Sequence, residues 1–296
     1  MAMALSERHL AFLAMLGAAT IYGTNFSLSR YGILGGLTPN DMTALRFAVS
    51  GSILLPLFLR AGIRDCAGIG WGRALVLTTM SGLPMTLLMM QGLAWSPAAH
   101  GAAIGPGTVT VIGAIGGFFL FGIKPPRMVV LGIVVVVAGL ALIGLAASTS
   151  GARNIILGDL CFLAVGLIWG GFPLLQQLWK VDPLKATAVL SVLSAAMFMP
   201  YYLSTDLRHL ADIPWQTIAF HAINLGVLNA IVGLWLWGWA VAKIGAVVSG
   251  RFPPLIPVIG ALSAIPLLGE WPGAMQWAGI GLIVGGLLIT TLNRAR

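Results

Sequence analysis

Of 296 residues, 58% are hydrophobic and 8% charged, and the formal net charge is +8. A soluble domain carries about 25% charged residues, so this chain cannot cover a water-facing surface; its mean hydropathy of +0.98 assigns it to a lipid bilayer. The positive balance is no nucleic-acid signal, because the basic residues fall between apolar runs without a basic stripe or interleaved aromatics.

A bilayer core of about 30 Å needs about 20 apolar residues per helix, and apolar runs broken by turn or charge clusters predict ten spans. The first, 9–30, begins like a signal peptide but continues through polar Tyr22, Thr24 and Asn25, and is read as a retained helix. Spans follow at 40–60, 74–94, 99–122 and 127–147, then at 156–178, 185–205, 216–239, 244–268 and 274–292. The connections LTPN, WSPA, GIKPP and EWPG are short, which suits one bundle without a soluble domain. Thirty-nine glycines favour close approach of helix backbones in lipid. Gly101 with Gly105, Gly113 with Gly117 and Gly281 with Gly285 have the small-xxx-small spacing of tight contacts or of a seam between copies, so a monomer or a weak homodimer is expected. Cys66 falls in a loop and Cys161 in a span; no disulfide is expected, and no metal-ligand cluster or cofactor motif occurs.

Lysine and arginine orient the bundle. With the N-terminus in the cytoplasm, eleven basic residues, Arg60, Arg64 and Arg73 among them, collect on the cytoplasmic side, against Arg30, Arg153 and Arg208 outside. Both termini are therefore expected in the cytoplasm.

The two halves repeat. IYGTNF at 21–26 matches IWGGFP at 168–173 with an offset of 147, which also pairs Pro106 with Pro253, Gly132 with Gly279 and Gly139 with Gly286. LLPLFL matches FMPYYL with an offset of 144. Residues 1–147 and 148–296 are thus two copies of a five-helix unit, and since five is odd the second copy enters from the opposite face. The expected fold is an all-α polytopic membrane protein of two inverted repeats, as in secondary transporters that bind substrate near the midplane. SGRFPPLIPVIG, at 249–260, puts Arg251, Pro253, Pro254 and Pro257 in an apolar run, matched by GPG at 105–107 in the fourth span. A symmetry-related pair of broken helices, at Pro106 and at Pro253–Pro257, is expected near mid-depth as hinges, or as kinks that only shape packing.

The chain resembles the drug/metabolite transporter superfamily, specifically its EamA-type ten-helix exporters, over nearly its whole length. The likeness rests on YGTNF and the Arg-Phe of ALRF in the first copy, and on IWGG and KIGAVVSGRFPPLIPVIGALSAIPLLGEWP in the second. Two positions depart from it: Ile123 follows Gly122 where a Gly-Glu pair is the pattern, and Leu190 stands where the first copy has Arg46. Within the family the chain resembles the amino-acid exporters, such as the YddG-type aromatic amino-acid exporter. The resemblance implies an inner-membrane, multi-pass transporter of small metabolites.

All eight acidic residues fall at span ends or in loops. With no carboxylate at mid-depth to hold a coupling ion, a facilitator or exchanger is expected rather than a proton antiporter. His100 and His221 lie nearer the outer surface and read as satisfied or interfacial. Tyr22 and Trp169 are repeat-equivalent and central; each can stack on a substrate or fill a gap between helices. Asn25, Gln91, Asn224 and Asn229 can bind the ends of an amino acid or bond a neighbouring helix. Asn229, closest to mid-depth, is the preferred substrate ligand. Arg251 can snorkel to the cytoplasmic surface or line a constriction there, and Arg46 is expected to be structural, paired with Asp41. The expected function is alternating-access export of amino acids, aromatic ones included, and of related small amphipathic metabolites or drugs. A nucleotide-sugar or phosphate-ester carrier needs more deep basic residues than are present. An intramembrane lipid-modifying enzyme needs clustered His, Asp or Glu at one depth.

Overall fold

The computed structural model describes residues 5–149, 153–249 and 252–292. Helices α1 (Leu5–Leu34), α2 (Pro39–Ala61), α3 (Trp71–Ser81), α4 (Leu83–Trp95), α5 (Ala98–Phe121) and α6 (Arg127–Thr149) form the first copy. The second contains α7 (Arg153–Leu178), α8 (Pro183–Leu203), α9 (Trp215–Ala222), a π-helix (Ile223–Val232), α10 (Gly233–Ser249), α11 (Leu255–Leu268) and α12 (Ala274–Leu292). Eight segments are long and apolar enough to cross a membrane, and Leu255–Leu268 and Ala274–Thr290 are shorter apolar helices. No strand occurs among the described residues. The protein is a multi-pass membrane protein.

Local chemistry sets several of the helix ends. Thr38 and Asp41 start α2 with a reciprocal capping box, Asp41 N–H donating to Thr38 Oγ1 and Thr38 N–H to Asp41 Oδ2, just ahead of and into a helix whose first residue is Pro39. Gly122 and Gly269, matched by the 147-residue offset, end α5 and α11 in the same left-handed conformation, φ +67° in each.

The copies interlock as inverted repeats must. α5 packs on α7 and α11 on α1, so the first and fourth spans of the two copies exchange partners, while α2 pairs with α8 and α6 with α12 across the axis. The glycines that align in sequence meet in space. A β-carbon at Gly132 would lie 2.7 Å from Gly286 O, and one at Gly286 2.6 Å from Gly132 O; Gly139 and Gly279 face each other in the same way. Gly23 abuts Ile259 and Gly170 abuts Ile112, again 147 apart. Bare backbone at these positions lets helices gain dispersion contact that lipid would not otherwise yield. The glycines singled out by small-xxx-small spacing behave differently. A β-carbon at Gly105, Gly113, Gly117, Gly281 or Gly285 would meet nothing within 4 Å, so only Gly101, against Phe162, makes a tight contact.

Where the spans break is also corrected. α5 runs through Pro106 without interruption. The predicted span 244–268 is two pieces, since α10 extends to Ser249 and α11 starts at Leu255, after Pro253 and Pro254. Those prolines initiate a helix, where their missing N–H costs nothing, instead of breaking one. The symmetric irregularity lies in the third spans. In the first copy α3 stops and α4 starts at Gly82, because Pro84 has no N–H to offer the Met80 carbonyl. In the second copy the same depth is the π-helix, and Asn229 within it stands 147 residues from Gly82.

The two ends of the bundle are packed differently. Toward the end where α1 leads into α2 (the Thr38 end), one apolar core links Leu37, Met42, Leu93, Phe162, Leu225 and Ala264 from both copies. Toward the opposite end, near Arg64, the core divides. One cluster joins α2, α3 and α8 through Leu54, Phe58, Leu77 and Val189; another joins α1, α10 and the start of α11 through Ala11, Met15, Ala240 and Phe252.

Candidate functional site

The sequence candidates do not form one cluster. Tyr22, on α1, packs its ring against Gly233 and stands edge-on to Trp237, with ring centroids 6.3 Å apart. Three residues along, Asn25 is buried and its Oδ1 accepts long hydrogen bonds from Asn224 Nδ2, at 3.4 Å, and Ser29 Oγ, at 3.5 Å. That pair ties α1 to the π-helix. Asn229 is buried in the π-helix and makes no hydrogen bond among the described residues. Gln91, on α4, is half-buried and likewise without a protein partner among them. Trp169, on α7, is half-buried against the shared core, and its indole N–H finds no acceptor among the described residues. Pro106 lies inside α5, while Pro253, Pro254 and Pro257 cluster at the start of α11. Arg251 lies outside the described residues.

The irregular third spans gather polar groups that the protein leaves unpaired. Gly82 lets α4 approach α8 so closely that a β-carbon there would be 2.5 Å from Ser194 Oγ. The Ser194 and Thr86 hydroxyls are buried and have no partner among the described residues. A buried hydroxyl left unsatisfied costs about 1–3 kcal/mol. π turns are frequent at functional sites. Orphan hydroxyls at the break in one copy and a free amide at the π-helix in the other therefore mark the equivalent depth in both.

Arg46 is the residue sequence reasoning misplaced. It does not pair with Asp41, whose carboxylate instead accepts from Tyr202 Oη at 2.6 Å, from Thr38 and from His209 Nε2 at 2.8 Å. Five residues on one helix are separated by about 140° of rotation, so the two side chains leave α2 in different directions. Arg46 points inward, where the Tyr22 phenol is its electrostatic neighbour. It is half-buried, so part of its surface stays accessible. The departure that signalled it was in the sequence all along, in the Leu190 that occupies the matching position.

A second polar assembly closes the Thr38 end. Arg30, on α1, pairs with Glu270 and donates to the carbonyls of Leu93 and of Ser96, the latter at 2.8 Å. The other Glu270 oxygen accepts from Ala98 N–H at 2.9 Å, at the start of α5, where the helix dipole favours an anion. Ser96 Oγ donates to Asp159 Oδ1 at 2.6 Å, and Asp159 also holds His100 Nδ1 at 2.9 Å. The other His100 nitrogen meets Gln276 Nε2 at 2.8 Å. His100 is thus satisfied as expected. His221 is not: it is buried against Gly32 with neither ring nitrogen bonded. Among the described residues, the one ion pair bridging helices at the Arg64 end is the exposed Lys243–Glu7 contact at 3.3 Å. Apart from these, an apolar crevice of about 480 Å³ lies between α5, α6 and α7, lined by Ile112, Leu140 and Leu163 and reaching Asp159.

Two interlocked copies of one helical unit, irregular at equivalent depth and bearing unpaired polar groups there, have the architecture of a two-repeat membrane transporter. The chain belongs to the EamA-like transporter family, whose model matches it twice, at residues 9–145 and 156–292. It is similar to a "Probable amino-acid metabolite efflux pump" of Salmonella typhimurium, at 28% identity over 95% of this chain and 94% of that protein. It is 24% identical to the "Uncharacterized inner membrane transporter YedA" of Escherichia coli K12, over 96% of this chain and 91% of that one. A further match, 24% identical to the "Uncharacterized transporter YetK" of Bacillus subtilis, spans 71% of this chain and 64% of that protein. A solved structure described as "Crystal structure of protein" shares the fold, with a TM-score of 0.61 at 18% identity and coverage of 97% and 98%.

Proposed function

We propose that the protein is an inner-membrane secondary transporter that exports amino acids, aromatic ones included, and related small amphipathic metabolites by alternating access. The observation that carries this is the symmetric pair of irregular third spans, which sets unpaired polar groups from both copies at the same depth. The Salmonella relative's description as an amino-acid metabolite efflux pump and the other's as an inner membrane transporter support the substrate class and the location. Catalysis has no place in this reading.

The basic-residue bias assigns the Thr38 end to the outside and both termini to the cytoplasm. With the outer end closed by its charge network and the inner core divided, substrate enters from the cytoplasm between the α2–α3–α8 and α1–α10–α11 groups. Tyr22, Asn25, Gln91, Trp169 and Asn229 bind it, and the proline turn at Pro253–Pro254, with Pro257, Pro106 and Arg251, serves the rocking. The dyad of His100 and Asp159 supports a second reading, in which a proton taken up there drives export. Counterflow of labelled amino acids into proteoliposomes, with and without a pH gradient, separates the two. Gradient-independent, saturable uptake supports a facilitator. Gradient-driven uptake abolished by His100→Asn supports proton coupling, and no uptake of any amino acid refutes the substrate assignment.

A further inference from the structure

The pseudo-two-fold that relates the copies is broken chemically at the centre, at two matched positions. Tyr22 corresponds to Trp169 and Arg46 to Leu190, so the first copy presents a phenol and a cation where the second presents an indole and an isobutyl group. The polar side is extended by the π-helix, which runs against α2 so closely that a β-carbon at Gly226 would stand 3.3 Å from Arg46 O and 2.4 Å from Val49. One turn beyond Asn229, Gly233 receives the Tyr22 ring. The irregular helix therefore touches both residues, the Arg46 backbone at Gly226 and the Tyr22 ring at Gly233, and joins α1 and α2 through one segment.

Arg46 is also electrostatically unusual. Every other basic residue among those described lies within about one turn of a helix end, in a loop, or beside an acidic partner. Among the described residues, Arg46 has neither acid nor carbonyl bonded to its side chain; its guanidinium carbon lies 5.8 Å from the centroid of the Phe47 ring. An arginine inside a span is costly, and it is normally paired with an anion or marks a substrate path. Leaving five N–H donors unpaired on a half-buried side chain makes sense if the anion arrives with the substrate. A single cation balances one negative charge, which fits a carboxylate and leaves a phosphate dianion half-compensated.

Resting on the transporter reading above, we propose that Arg46 is the anchor for the substrate's carboxylate, with the Tyr22 hydroxyl beside it, and that Trp169 and Leu190 face the substrate's apolar part. The site then selects amphipathic monocarboxylates, and the polarity of the two walls fixes which way round the molecule binds. Charge-assisted, bidentate contacts of this kind are the strong ones, and Arg provides them in a geometry Lys does not.

The test uses the full chain with three matched probes: phenylalanine, phenylalaninamide, which lacks the carboxylate, and 3-phenylpropionate, which lacks the ammonium. Thermal stabilisation of the purified protein reports binding independently of transport. Wild type is expected to bind phenylalanine and 3-phenylpropionate at least about tenfold more tightly than the amide, the scale of one charged hydrogen-bonding partner. Arg46→Gln should collapse that ratio to near one without weakening the amide, and Arg46→Lys should keep part of it. A wild-type ratio near one overturns the proposal, as does an Arg46→Gln variant that retains the ratio or loses all three probes equally. If Arg46→Gln does not fold, the wild-type ratio and Arg46→Lys decide. Should the carboxylates bind through Arg46 while counterflow detects no amino-acid movement, the anchor stands and the transport assignment fails.

Discussion

The two ends of the bundle are held together by different physics. At the Thr38 end, buried carboxylates are shared among several helices: Glu270 joins α1, the start of α5 and the loop after α11, and Asp159 joins α4, α5 and α7. Asp41 does the same for α2, α8 and the short 3-10 turn at Arg208–Asp212. At the Arg64 end, two apolar clusters sit apart and the Lys243–Glu7 pair is exposed. Directional bonds between low-dielectric groups either form or break, whereas separate greasy clusters can slide as bodies. In the proposed transport cycle, the first end locks and releases and the second parts.

Glu270 offers the sharpest way to break this contrast. Glu270→Ala leaves Arg30 without its carboxylate and α5 without its capping anion. Losing one partner of a fully buried pair costs about 3–5 kcal/mol and this pair is half-buried, so the variant should lose somewhat less, yet unfold at lower denaturant or temperature, or become reactive to an impermeant thiol reagent at Ala99→Cys. Neither change would mean that the pair holds nothing closed. Asp159→Asn should be milder, about 1–3 kcal/mol, because Ser96 and His100 keep part of their bonding; thermal unfolding in detergent measures it. Next comes pH. His209 lies outside the spans, and its hydrogen bond to the Asp41 carboxylate raises its pKa above the ordinary 6.5. A raised histidine contributes fully below its unfolded value and loses that contribution as pH climbs through its folded one. Stability should therefore fall modestly from about pH 6.5 upward, and His209→Gln should flatten that slope; an unchanged slope would remove the pair from the lock. Lys243→Ala is expected to change stability by less than about 1 kcal/mol, and a larger loss would show that the Arg64 end depends on charge after all.

The repeat was legible because glycine at a helix crossing tolerates no replacement. Gly132, Gly139, Gly279 and Gly286 align in sequence for the same reason that they touch in space. Small-xxx-small spacing elsewhere marks no tight contact within the chain except at Gly101, since a bare stripe can face lipid or a second copy as easily as a neighbouring helix. Proline was ambiguous in the same way. Pro253–Pro254 reads as a mid-span break or as a helix start, and only the length of α10 decides between them. The π-helix carries no mark at all: INLGVLNAIV has no proline and would serve an α-helix equally well. Bonds between distant residues, such as His100 with Asp159 or Asp41 with Tyr202, needed the fold to bring their helices together. Arg46 was recoverable from helix geometry and from its unmatched repeat position, which together argue against pairing with Asp41.

The most direct measurement is a pair of spin-label distances in proteoliposomes, one across each end. Leu34 on α1 and Leu203 on α8 are exposed at the Thr38 end, and Leu13 on α1 and Leu59 on α2 are exposed toward the other. Without substrate, the account predicts a narrow distribution for 34–203 and a broad one for 13–59. Saturating phenylalanine should narrow and shorten 13–59 while a longer 34–203 population appears. Distances at both ends that stay fixed while phenylalanine is still carried would contradict the account.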